Sequence, residues 1–121
     1  MLEIAKAYAL RGWHVFPLHG ITPEGQCTCG REACPDAGKH PITKNGLKNA
    51  SSSPVAVEEL FAGHADCNVG VVTGKISGIT VIDIDVGSNK MGAETWAALI
   101  EEQGEPDTLM AKTGSGGMHV Y

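Results

Sequence analysis

The chain has 121 residues, 42% apolar and 19% charged, with a net charge of −5, which is the make-up of one ordinary globular domain or part of one, with room for a modest core. That negative balance excludes a surface that grips nucleic acid by broad attraction to phosphate, so any such contact is local. No basic leader followed by an apolar core and no apolar run of spanning length occurs, so no membrane contact is expected and the cytoplasm is the expected compartment.

Leu2 to Leu10 is rich in helix formers, with Leu2, Ala5 and Ala9 on one side, and Gly12 suits a left-handed helix end. Trp13 to Leu18 reads as a short strand. From His19 to Ser53 the chain is Gly-, Pro-, Cys-, Lys- and Ser-rich with no apolar period. A loop that long inside a compact domain is usually functional, and a bound metal can supply the order that a missing core cannot.

Ser53-Pro54 predicts a helix start, with Ser as cap and Pro in the first turn, leading into Val57, Leu60 and Phe61. Asn68 to Gly74 reads as a buried strand, and Gly78 to Val86 as a β-branched strand ending in Asp83 and Asp85. Gly92 to Gln103 reads as a helix with Trp96, Leu99 and Ile100 inward and Gly104 closing it. Asp107 to Thr113 and Gly117 to Tyr121 read as strands joined by a Gly114-Ser115-Gly116-Gly117 turn. The fold class is therefore mixed α/β (α+β). Its second half holds four elements of a six-element split β-α-β unit and ends inside a strand, so the chain is expected to be C-terminally truncated.

Three constellations carry chemistry. Asp83 and Asp85 alternate along a strand and so share one face, where two like charges call for a divalent cation or for solvent screening; the plain alternative is a strand that simply exits into a turn. Cys27, Cys29 and Cys34, followed by His40, can complete a tetrahedral zinc site with Zn–S near about 2.3 Å; free thiols on a flexible loop are the alternative. Cys67 stands apart and is expected to pack as a small apolar residue. The Gly114 to Gly117 turn, with Ser115 and the following His119, can cradle a phosphate, or it can be a hairpin without a ligand; Tyr121 shares the His119 face. Lys39 and His40 precede Pro41, which favours extended backbone at His40 and leaves two roles open there, zinc ligand or phosphate contact. Lys44 and Lys48 lie close by in a segment that also suits a solvated loop.

Six segments then occur in a telling order: Arg11 to Leu18, the Cys loop ending Gly38-Lys39-His40-Pro41, Gly46 to Ala50, Asn68 to Gly74, Ser77 to Asp85, and Thr113 to His119. Together they resemble bifunctional primase–polymerase domains of the archaeo-eukaryotic primase superfamily, over nearly the whole chain. The resemblance implies an α/β primase–polymerase core, with residues 1–75 as an N-terminal αβ half containing the Cys/His loop 19–53 and residues 76–121 as the start of an RRM-like half. It implies a nucleotidyltransferase that makes and extends primers from nucleoside triphosphates on a DNA template, in replication of a phage, plasmid or other mobile element, with a fused or associated helicase as a further partner. By the same resemblance Asp83 and Asp85 hold Mg2+ or Mn2+, and His119 with Ser115, Gly116 and Gly117 meets the incoming nucleotide. A third acid comes from a strand after Tyr121, so this fragment alone is expected to be nearly inactive.

The alternative is a non-catalytic, zinc-containing nucleic-acid-binding module contacting DNA through the Cys loop, Lys39, Lys44 and Lys48. A metal-dependent sugar-nucleotide transferase would explain the Asp pair and leave the other two constellations without a purpose.

Overall fold

A computed structural model describes all residues, Met1–Tyr121. Helices and strands are mixed in an α+β arrangement that divides into two compact units, Met1–Gly78 and Ile79–Tyr121.

In the first unit, helix α1 (Leu2–Leu10) buries Ala5 and Ala9 and stops where Gly12 takes a φ of 84°. Helix α2 (Pro54–Phe61) starts at Ser53-Pro54 as expected, although the Ser53 hydroxyl makes no capping bond, and it buries Val57 and Phe61. Strand β1 (Val15–Leu18) pairs antiparallel with β2 (Asn68–Val71) in the register Val15↔Val71 to Leu18↔Asn68. β2 is shorter and less covered than its apolar run suggests, with only Gly70 buried, because it pairs along β1 alone. The core gathers Ala5, Ala9, Val15, Val57, Phe61 and Cys67, so Cys67 is the small apolar residue its isolation implied.

The long loop is tied to the opposite edge of β1. Ser51 bridges Val15, Pro41 bridges Leu18, and the His19 N–H donates to the His40 carbonyl at 2.9 Å. One 3-10 turn, Gly46–Asn49, is its only helix.

The second unit has a three-stranded antiparallel sheet in the order β3 (Ile82–Ile84), β7 (Met118–Val120), β6 (Met110–Lys112), with helix α3 (Gly92–Gln103) between β3 and β6 in sequence. β3 and β6 thus run parallel with β7 between them, the arrangement that defines a split β-α-β unit. Past Asp85, where the plain alternative has the strand exiting into a turn, the chain forms a small hairpin of β4 (Val86–Gly87) and β5 (Lys90–Met91), with Asn89 at a φ of 71°. Such a turn needs positive φ, which Asn tolerates better than most residues. α3 has no fully buried residue, and Leu99, expected inward, is 44% exposed while Trp96 and Ile100 are half-buried. The strands are also shorter than the apolar runs that announced them.

Candidate active site and thiol cluster

The acidic edge is built by strand register. Asp83 stands directly opposite His119 in the β3–β7 ladder, and His119 Nε2 lies 3.5 Å from Asp83 Oδ1. Asp85 follows two residues along, just past the end of β3, while the intervening Ile84 is buried. Both carboxylates are more than half exposed, so a cation can reach them from solvent. The Tyr121 ring meets the His119 ring edge-on, centroids 6.2 Å apart, and so limits its rotation.

The glycine-rich turn abuts this edge. The Thr113 N–H donates to the Gly117 carbonyl at 2.9 Å and the Gly116 N–H to the Thr113 carbonyl at 3.0 Å, with Gly116 at a φ of 90°. A Cβ on Gly117 would overlap the Ile84 carbonyl, so β7 can approach β3 only as glycine. Since the Gly116 amide is spent within the turn, the exposed Ser115 hydroxyl, 3.1 Å from Thr113 Oγ1, is its side-chain donor.

One contact here was not legible in the sequence. Lys90, from the unforeseen hairpin, places its ammonium 2.6 Å from Asp85 Oδ2. Only the hairpin register brings it back to the acid.

In the first unit Cys27, Cys29, Cys34 and His40 bring their ligand atoms within 4.8 Å of one another, and no other group of three or more Cys, His or acidic residues is so close. Cys27 Sγ and His40 Nε2 are 3.4 Å apart. A tetrahedral zinc with ordinary Zn–S and Zn–N bonds requires ligand separations of about 3.5–3.8 Å, so the donor set fits zinc. The electrostatics point the same way. Burial pushes the Cys27 thiol up, but hydrogen bonds from the Cys29 and Gly38 backbone and from the Cys29 and His40 side chains outweigh it and bring it down to about 6. Burial and then the neighbouring Cys29 and Cys27 hold the Cys34 thiol above its usual range. A thiolate that suppresses ionisation of its neighbour is what a dication relieves.

His40 therefore sits among the thiols, and Lys39 beside it is exposed. His19, which the motif reading passed over, stacks on His40 with centroids 4.4 Å apart and bonds Thr28 Oγ1 through Nδ1 at 3.1 Å. Burial and the adjacent His40 lower its pKa, and its ring packs against that of His40. Its position, just past β1 and opposite His40, was the available signal.

No helix is long and apolar enough to cross a membrane. No curated protein and no solved structure matches the chain. The family described as bifunctional DNA primase/polymerase, N-terminal (Prim-Pol), matches residues 5–121, from inside α1 to the last residue. With the split sheet, the acid–histidine rung and the glycine-rich turn all inside that span, the chain belongs to the bifunctional DNA primase/polymerase family.

Proposed function

We propose that this domain joins nucleotides on a DNA template, as a primase that makes primers and a polymerase that extends them from nucleoside triphosphates. The carrying observation is the Asp83–His119 rung, which sets a carboxylate oxygen and a ring nitrogen 3.5 Å apart, with Asp85 two residues along the chain. In this reading Asp83 and Asp85 hold Mg2+ or Mn2+. When bound, such ions activate the attacking 3′-hydroxyl and stabilise the departing pyrophosphate.

The chain's own residues do the positioning. His119 donates from its ring to a phosphate oxygen, held by the Tyr121 edge; the Ser115 hydroxyl adds a second donor, and the exposed Gly116 lets the triphosphate approach the backbone, while Gly117 brings β7 against β3 beneath it. Lys39, on the Cys/His loop, supplies local positive charge for a phosphate contact of its own or for the template. Cys27, Cys29, Cys34 and His40 hold a structural Zn2+. A further carboxylate from a later strand completes the metal site, and the setting is replication of a phage or other mobile element with a helicase as partner.

The test is nucleotide incorporation by full-length protein carrying Asp83→Asn or Asp85→Asn. Either change is expected to abolish incorporation without lowering the melting temperature. Activity within about tenfold of wild type, roughly 1.4 kcal/mol of barrier, removes the metal-holding role. A second reading, a zinc-containing nucleic-acid-binding module without catalysis, draws on the thiol cluster sharing its loop with Lys39, Lys44 and Lys48. It gains if wild-type protein binds DNA but incorporates nothing.

A further inference from the structure

Both acids of the proposed metal pair already have a basic neighbour, and the two neighbours differ in kind. His119 sits across the ladder from Asp83 as part of the sheet. Lys90 arrives from outside the sheet, on a two-rung hairpin in which Val86 faces Met91 and Gly87 faces Lys90. That hairpin is closely seated. A Cβ on Gly92 would collide with the Asp85 backbone, so the returning chain passes directly over the acid, and Val86 Cγ2 lies 3.7 Å from where a Gly116 Cβ would stand. The hairpin thus delivers the ammonium to Asp85, 2.6 Å from its Oδ2. Both side chains are about half exposed, so the pair can open without disturbing a core.

An ammonium at that distance occupies the oxygen a divalent cation needs, and it carries half the charge. Once that oxygen is taken by a dication, the lysine faces net repulsion and must find another anion. The anion that arrives with the metal in nucleotidyl transfer is the triphosphate, for which a flexible ammonium is a suitable point-charge partner. We infer that Lys90 is an exchangeable counter-ion, holding Asp85 before metal binds and passing to the triphosphate of the incoming nucleotide afterwards. Metal loading and nucleotide binding are thereby coupled through one side chain. The inference rests on the proposed metal role of Asp85 and adds a nucleotide-binding residue to it.

The test uses the full-length protein and two separate readouts. Mn2+ is titrated without nucleotide and followed by electron paramagnetic resonance; binding of a non-hydrolysable nucleoside triphosphate at saturating Mn2+ is then followed by fluorescence anisotropy. Lys90→Gln is expected to tighten Mn2+ binding about threefold or more, because its competitor is gone, and to weaken nucleotide binding about tenfold, the order expected for one charge-assisted hydrogen bond. Lys90→Arg should restore nucleotide binding. If Lys90→Gln changes neither constant, weakens both, or shifts Mn2+ alone, the exchange does not occur. Asp85→Asn separates the two layers: unchanged Mn2+ binding in that variant overturns the metal pair itself, whereas loss of Mn2+ there with a silent Lys90→Gln overturns the lysine's role only.

Discussion

At the scale of single residues, the thiol cluster makes the sharpest demands. Cys27 is drawn down to about 6 while Cys34 is pushed up, so in metal-free protein one thiolate should persist far below the ordinary thiol range and another should resist ionisation. The sign follows directly: a depressed thiol keeps its charge as pH falls until it passes about 6, and a raised one stays protonated as pH rises. Thiolate absorbance should accordingly titrate in well-separated steps, and a single step for all the cysteines near the unperturbed value would contradict the geometry. Protein purified without added metal should carry about one equivalent of zinc by elemental analysis, and His40→Ala should weaken zinc by tenfold or more, the order seen when a zinc site loses support. Zinc at full affinity in that variant removes His40 as the fourth ligand and leaves the three thiols in place. Less than a small fraction of an equivalent in wild type removes the site.

At the scale of elements, Gly117 is the joint between β7 and β3. Gly117→Ala must push the strands apart at the Ile84 carbonyl, and a loss of about 1–3 kcal/mol is expected from such overpacking, together with a weaker Asp83–His119 contact. Gly114→Ala, in the same turn but with open space where its Cβ would be, should stay within about 0.5 kcal/mol. Thermal melts of the two variants check this, and equal losses would show that the turn, not the strand approach, sets the cost. These elements also show what could be read in advance. The start of α2 and the ends of α1 and α3 were legible, because Pro54, Gly12 and Gly104 are local conformational signals. The β4–β5 hairpin was not. Its strands are two residues each, too short for any period, and its turn uses Ser88-Asn89 in place of a stronger Asn-Gly pair. The outward Leu99 was missed for a different reason: a helix pattern names an apolar side but not how much of it a small sheet can cover.

At the scale of the whole molecule, the buried apolar residues divide unevenly. The first unit owns the core cluster around Val57 and Phe61, whereas the second fully buries only Ile84, Gly117 and Val120. Phe61→Ala should therefore cost about 3–5 kcal/mol, and amides of 79–121 should exchange with deuterium much faster than those of α1, α2 and β1. Uniform protection across the two units would refute that division. The tethering of the long loop has a consequence of its own for ancestry. The chain leaves the β1 edge at His19 and rejoins it at His40, the two joined by one backbone hydrogen bond, so relatives that differ in length are expected to differ between these points, where a change leaves the β1–β2 register untouched. The return point is itself a member of the thiol cluster, so the cysteines and that histidine are expected to be kept or lost together. A descendant that discarded the thiols should still keep the extended Pro41 rung opposite Leu18, having lost only the reason for position 40 to be histidine.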